Sequence, residues 1–406
     1  MRTPVDDLPP AFAARPAATA GRNATILFLS ALTIMAGATI APALPAIEAS
    51  FNGSPSAALL TRLILTVPAL SIALCAPFAG VFADRYRRKP VAVASVLLYA
   101  VAGSSGLYAD SLLTLLIGRA LLGVAVAGIM TVATALVGDY FAGSARERFM
   151  GRQSAFVGVG GLFFLTGGGL LAELHWRAPF LVYMVALALV PALLAFIRDE
   201  QPRPASRNLK ASGPAGPLIT LPLMAILGSA VLNSVVFYLM PTQLPFHLQA
   251  LGVRAPFMAG IAMGLMTLTS AISSFYYGAM RARLSVPAIF ALGFALLGTG
   301  LFVVGFAEGF LTVLPGAVVV GIGLGLVMPN LATATMALAD ENNRGRLAGL
   351  LTASIFLGQF ISPFASQPLA TGGGYAAMFV GGGMALLLAA LLALAVAAWQ
   401  RRSASA

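Results

Sequence analysis

Long apolar segments alternate with short polar ones along almost the whole chain. A helix needs about 20 predominantly apolar residues to cross the hydrocarbon core of a bilayer. We number the segments of sufficient length as spans 1 to 12: 24–47, 57–80, 90–108, 112–138, 149–172, 176–197, 217–244, 255–280, 285–307, 310–338, 346–370 and 375–399. The pattern predicts an all-α integral membrane protein with twelve transmembrane helices.

Composition agrees with a lipid environment. Apolar residues form 59% of the 406 residues and charged residues only 9%, and mean hydropathy is +0.92. A soluble chain could not bury that much apolar surface. The net charge of +11 would suit a nucleic-acid partner, but most of the bases are distributed among tails and the segments between spans. We therefore expect membrane lipids, and no nucleic acid, as partners.

The distribution of basic residues predicts the orientation. Twenty of the 24 Lys and Arg residues fall in the tails and in every second loop, whereas the opposite side has only Arg177 and Arg254. Cytoplasmic loops retain positive charge, so both termini are expected in the cytoplasm. The compact loops and tails are typical of a bacterial inner membrane protein.

A polar, proline-rich connector divides the chain. Residues 198–216 separate six spans from six, and helix-breaking residues mark them as a cytoplasmic linker. The predicted organisation is a disordered cytoplasmic tail (1–23), a six-helix bundle (24–197), the linker, a second six-helix bundle (217–399) and a short cytoplasmic tail (400–406). Spans 4 and 10 share a glycine-rich pattern followed by Asp139 and Asp340, respectively, which indicates an internal repeat.

The loop between spans 2 and 3 carries the most informative motif, GVFADRYRRKP from Gly80 to Pro90. It resembles the pattern G-x-x-x-D-R-x-G-R-R/K of the major facilitator superfamily, with Arg87 in place of the usual small residue. The matching residues are Gly80, Asp84, Arg85, Arg88 and Lys89. The resemblance implies two pseudo-symmetric six-helix bundles with a solute site between them at mid-membrane.

The same resemblance implies a conformational latch at this loop. Asp84 would face the N-terminal end of span 11, where the helix dipole favours a carboxylate. Arg85 and Arg88 would pair with acids across the interface between the halves, and Asp139 is a candidate partner. The alternative is a loop that only holds the orientation of the chain.

Two arginines lie within spans. Arg119, with Gly123, resembles the R-x-x-x-G pattern of drug–proton antiporters, in which the arginine is implied to assist proton transfer. A buried guanidinium is costly unless it is paired or faces water, so the alternative is an arginine that snorkels to the outer headgroups. For Arg62, nearer the surface, snorkelling is favoured over substrate contact. If both arginines faced the cavity, they would give it a positive charge.

Other features separate the possible activities. No carboxylate lies at mid-depth in a span, so proton coupling rests on the resemblance alone, and Glu48 is among the nearest substitutes. Span 5 keeps Gly160 but has Phe164 and Leu165 where antiporters have Gly-Pro. The favoured function is an efflux-type carrier of a small solute driven by the proton gradient. A metabolite or nutrient permease is the alternative, followed by a non-transporting sensor or structural protein.

Polar side chains within spans are candidates for the transport path. We single out Asn233, Tyr238, Gln243, Asn330 and Gln359, although interhelical hydrogen bonds would equally explain an amide in hydrocarbon. Proline pairs in span 1 (42 and 45) and span 7 (241 and 245) predict helix breaks and an outer gate. No catalytic group, metal site or cofactor site is evident, and the chain is expected to be a monomeric non-enzyme.

Overall fold

The computed structural model describes residues 16–51, 56–85, 87–197, 220–340 and 343–405. The side chains of 16–18, 38, 76–85, 147 and 403–405 are excepted, and the predicted linker lies outside the described residues. Within these ranges the chain is helical, without a strand. The all-α prediction is confirmed.

Among the described residues, spans 1 to 6 comprise ten helical elements. They are Pro16–Ala38, the 3-10 turn Ala41–Ala43 and Leu44–Ser50 (span 1), Ala57–Arg85 (span 2), Arg88–Gly103 with the 3-10 turn Ser104–Leu107 (span 3), Leu112–Tyr140 (span 4), Gly143–Leu174 (span 5), and the 3-10 segment Ala178–Ala188 with Leu189–Phe196 (span 6).

Spans 7 to 12 comprise six helices. They are Leu221–Phe237 and Leu239–Ala250 (span 7), Pro256–Arg281 (span 8), Val286–Gly305 (span 9), Phe310–Ala337 (span 10), and the single helix Arg344–Ser405 (spans 11 and 12).

The last helix accounts for the twelfth crossing. The described residues contain eleven apolar helical stretches long enough to cross a membrane, and the last, Arg344–Arg402, is 59 residues long. One crossing needs only about 20 residues, and the backbone leaves helical geometry inside this stretch at Gly374, with φ of 80°. Spans 11 and 12 are thus two crossings joined at one glycine, where the sequence predicted a loop.

Helix ends extend beyond the predicted boundaries. The first helix begins at Pro16, inside the predicted tail, and the last continues to Ser405. Span 5 begins at Gly143, so Arg146, Arg148 and Arg152 lie in its first turns instead of in a loop. An apolar pattern underestimates these helices because arginine is a good helix former and extends a helix past the hydrocarbon.

The prolines of spans 1 and 7 break their helices at matching places. The first helix of span 1 ends at Ala38, four residues before Pro42, and that of span 7 ends at Phe237, four residues before Pro241. A proline ring clashes with the carbonyl four residues earlier and lacks the N–H that would bond to it. The predicted breaks are therefore confirmed and follow a shared cause.

Helix packing repeats between the two halves. In span 4, Gly123 packs against the backbone of Pro68 in span 2, and in span 10, Gly321 packs against the backbone of Met266 in span 8. Span 5 meets span 8 across the interface, where Gly260 lies against the carbonyl of Leu165, and span 2 meets the helix of spans 11 and 12. Small residues permit such close backbone approach.

Candidate functional site

A central cavity of about 310 Å³ lies between the two halves. Spans 1, 2 and 5 of the first half and spans 7, 8, 10 and 11 of the second contribute to its wall. The lining residues are Thr33, Ile34, Ala36, Gly37, Leu65, Pro68, Ala69, Ile72, Leu165, Phe237, Tyr238, Pro241, Met263, Met266, Thr267, Ser270, Leu324, Phe356 and Gln359. The wall is mainly apolar with a few polar groups, as expected of a small-molecule site.

Three polar groups of the cavity wall are available to a ligand. The side chains of Tyr238, Ser270 and Gln359 form no hydrogen bond with another described residue. The Tyr238 hydroxyl lies beside Gly37, where a Cβ atom would come within 3.3 Å of it. Of the residues singled out for the transport path, Tyr238 and Gln359 thus do line the cavity.

Arg119 lies directly behind the cavity wall and is completely buried. Its Nη2 donates a hydrogen bond to the carbonyl of Ala36, and its Nε donates to the carbonyl of Ile64 at 3.0 Å. Its Nη1 is buried without a partner, and the part of the chain that the structure describes offers it no carboxylate. The snorkelling interpretation is wrong for this residue, because the guanidinium lies between spans 1 and 2.

Arg62 is also buried, with 1% of its side chain exposed, and it has a carboxylate partner. Its Nη1 donates to Glu48 at 2.6 Å, and its Nε donates to Gln243 at 2.9 Å. Its Nη2 donates to the Tyr375 hydroxyl at 3.3 Å, and its Cζ lies 3.8 Å from the centre of the Phe246 ring. Snorkelling, the favoured interpretation of Arg62, is therefore wrong as well.

We call Glu48, Arg62, Gln243, Phe246 and Tyr375 the Arg62 cluster. Glu48 and Arg62 belong to the first half, and the other three belong to the second. Gln243 extends the cluster, since its Nε2 donates to Ser366 at 2.9 Å. The cluster lies just beyond the proline breaks of spans 1 and 7, so it holds the halves together at the end of the bundle where a gate was predicted.

The opposite end carries the motif loop. Arg88 Nε lies 3.4 Å from Asp139, and Lys89 donates to the carbonyl of Leu194 at 2.6 Å. These contacts join spans 3, 4 and 6, all in the first half. The pairing of Arg88 with Asp139 is as expected, but the expectation that it crosses the interface is wrong.

Asp84 and Arg85 were predicted in a loop, but the helix of span 2 continues through Gly80 to Arg85; the side chains of all three fall outside the described part of the structure. The predicted contact of Asp84 with span 11 remains a prediction.

The two asparagines do not line the cavity. Asn330 donates to the carbonyl of Val286 at 3.0 Å and accepts from the Tyr277 hydroxyl at 3.2 Å, so its amide is used to join spans of the second half. Asn233 is fully buried, and neither atom of its amide has a hydrogen-bond partner among the described residues.

Two members of the Arg62 cluster escaped sequence reasoning. Tyr375 and Phe246 are an aromatic pair at ends of apolar spans, where aromatic residues are common. Arg62, Glu48, Gln243 and the proline pairs were the features that marked this end of the bundle in advance.

The fold and the cavity define a polytopic membrane protein with a solute-sized chamber between two similar halves. The family model of the Major Facilitator Superfamily matches residues 26–363 and 254–405, and the chain belongs to this superfamily of transporters.

Individual proteins agree with the family match. The chain is 28% identical to "Tetracycline resistance protein, class C" of Escherichia coli over 404 residues, which cover 94% of this chain and 99% of that protein. Among solved structures, a bacterial homologue of the human lysosomal transporter Spinster, in an inward-facing unoccupied conformation, aligns with a TM-score of 0.71 at 16% identity over 95% of this chain and 96% of that chain.

A D-xylose–proton symporter structure aligns with a TM-score of 0.75 at 14% identity, over 92% of this chain and 97% of that chain. Because the sequence identities are this low, the two structures support the assignment of the fold but say nothing about which solute is bound.

Proposed function

We propose that this protein carries a small solute across a bacterial inner membrane by alternating access, as an efflux-type carrier driven by the proton gradient. The observation that carries the proposal is a chamber between the two halves, closed at one end by side chains from both. A solute entering from the other end would be released once the Arg62 cluster separates.

The basic residues support an orientation for this cycle. The proposed arrangement puts both termini, the linker 198–216 and the motif loop in the cytoplasm, with the halves comprising 24–197 and 217–399. The Arg62 cluster then faces outward, and the structure corresponds to a state closed to the outside. The protein would work as a monomer, with lipids and the solute as partners.

Efflux is favoured by two observations. Arg119 and Gly123 match the antiporter pattern in span 4, and the relative aligned over nearly its whole length is named for resistance to a drug. The proposed roles are proton transfer for Arg119, solute contact for Tyr238 and Gln359, and gating for Arg62.

A permease for a metabolite or nutrient is the second candidate. Leu165, which replaces the proline of the antiporter motif in span 5, lines the cavity. The departure from the antiporter pattern therefore lies where solute and chamber would meet.

Transport in proteoliposomes separates the two candidates. A thermal-shift screen of drugs, sugars, amino acids and organic acids first identifies a ligand, because a ligand raises apparent stability by mass action. Flux of that ligand is then measured with and without an imposed pH gradient. For an antiporter, we expect a gradient to accelerate flux at least about tenfold and Arg119→Ala to abolish the acceleration.

Flux that ignores the gradient and is unchanged in Arg119→Ala would reject the antiporter in favour of a permease. A panel in which no solute is bound or moved would reject transport itself and support a sensor or structural role.

A further inference from the structure

The described residues around Arg119 do not neutralise its charge. Among the described residues no carboxylate lies within ion-pair distance of Arg119, and Nη1 is buried without a hydrogen bond. The described acids are used elsewhere or exposed: Glu48 pairs with Arg62, Asp110 with Arg177, and Asp139 with Arg88, while Glu173, Glu308 and Asp340 are exposed. A cation at this depth is costly unless it is paired, bonded to carbonyl groups or in contact with water.

Backbone carbonyls supply part of that compensation. Ala36 lies in the last turn of the first helix of span 1, which ends at Ala38 because of Pro42, and its carbonyl accepts from both Arg119 and Tyr183. The C-terminal end of a helix carries about half a negative elementary charge. The remainder of the guanidinium charge has no partner among the described residues, so an anionic group of a ligand would stabilise it.

The cavity brings a ligand within reach of this charge. Ala36, whose carbonyl accepts a hydrogen bond from Arg119, is itself part of the cavity wall, so the guanidinium lies one residue behind that wall. The rest of the wall is mainly apolar, with the amide of Gln359 and the hydroxyl of Ser270 as further hydrogen-bonding groups.

We propose that the central cavity selects amphipathic organic anions, whose carboxylate or similar group is held by the field of Arg119 while the apolar body packs on the methionine and aromatic side chains of the wall. This inference rests on the proposed transport function and names the substrate class of the same site. Arg62 makes no comparable contribution, because its charge is already neutralised by Glu48.

Three probes of similar size test the charge preference on the wild-type protein. They are 1-naphthaleneacetate, its neutral amide 1-naphthaleneacetamide, and the cation 2-(1-naphthyl)ethylammonium, titrated by calorimetry into protein in nanodiscs. We expect the carboxylate to bind at least about tenfold more tightly than the amide, with the cation weakest. Because this comparison uses no variant, it does not depend on whether a variant folds.

Variants then locate the preference. Arg119→Gln is expected to remove the difference between carboxylate and amide, and Arg119→Lys to retain at least about a third of it. The double variant Arg62→Gln with Glu48→Gln is the matched control: it removes a buried arginine of the first half together with its carboxylate partner, so the ratio of the two affinities should stay unchanged.

Equal affinities in the wild type, a preference for the cation, or failure of all three probes to bind would overturn the proposal. The same holds for a carboxylate preference that survives Arg119→Gln. Gradient-driven flux of a neutral or cationic solute would reject the anion assignment and leave the transport function intact.

Discussion

Arg62 and Arg119 are both buried within membrane spans of the same half, but they differ in whether neighbouring groups neutralise the charge. Arg62 has a carboxylate at 2.6 Å and binds side chains of the other half. Arg119 has backbone carbonyls of its own half and a free Nη1. A neutralised arginine that binds both halves can hold them together reversibly. An arginine whose charge is not compensated, beside a cavity, attracts an anionic ligand.

Removing each charge provides the strongest test of this difference. We expect Arg62→Met to lower the free energy of unfolding by about 3 kcal/mol, because Glu48 is left without its partner. Arg119→Met should change it by less than about 1 kcal/mol, since the lost hydrogen bonds are offset by removal of a buried charge. Chemical unfolding in detergent micelles measures both.

A double-variant cycle serves as the control. Adding Glu48→Gln to Arg62→Met is expected to recover at least about 1 kcal/mol of the loss, because the unpaired carboxylate is then removed. Equal losses for the two single arginine variants would show that both charges are compensated alike, contrary to the comparison.

Two carboxylates at the other end of the bundle, Asp84 and Asp139, allow a similar comparison in which transport is measured instead of stability. Asp84 is predicted to hold the two halves together, whereas Asp139 pairs with Arg88 inside one half and is 46% exposed. We expect Asp84→Asn to slow transport about tenfold without abolishing ligand binding, because a carboxylate at a helix N-terminus contributes up to about 2 kcal/mol. Initial rates in proteoliposomes give the measurement.

Asp139→Asn is the matched variant, and an exposed pair contributes at most about 1 kcal/mol. Its transport rate should stay within about twofold of the wild type. Normal flux in Asp84→Asn would reject the latch, and a larger effect of Asp139→Asn would reverse the assignment of the two acids.

The smallest expected effect comes from one hydroxyl of the Arg62 cluster. Tyr375→Phe keeps the ring but removes the acceptor for Arg62 Nη2, which weakens closure by about 1 kcal/mol and raises the open population about fivefold. The readout is labelling of a Thr33→Cys variant, in which native Cys75 is replaced by serine, with a membrane-impermeant thiol reagent added from outside.

Thr33 lines the cavity, so the reagent should reach it only when the Arg62 cluster opens. Tyr108→Phe, which removes an exposed hydroxyl bonded within one half, is the control and should leave the labelling rate unchanged. Equal rates in all three proteins would contradict a role of Tyr375 in closure.

Local patterns were enough to predict most of the fold. Apolar runs predicted the spans, and the prolines predicted the breaks of spans 1 and 7, because both signals act within a few residues. The junction of spans 11 and 12 was misjudged, because three glycines at 372–374 resemble a loop although only Gly374 departs from helical geometry.

The candidate site was less accessible to sequence reasoning. Arg62 meets Gln243 and Tyr375 across 181 and 313 residues of chain, and no local pattern records such contacts. Arg62 therefore resembled a snorkelling residue, and the absence of a partner for Arg119 was invisible until all its neighbours were known. Asn233, Asn330 and Gln359 resembled one another as amides, yet only Gln359 lines the cavity.

The glycine joint between spans 11 and 12 has a consequence for protein engineering. Loops between membrane helices ordinarily tolerate inserted tags, but Gly374 is followed at once by Tyr375, which contacts Arg62. Each residue added to a helix rotates the residues after it by about 100°, so even a single insertion after Gly374 would turn the tyrosine away from the arginine. Fusion partners and epitope tags therefore belong elsewhere in the chain.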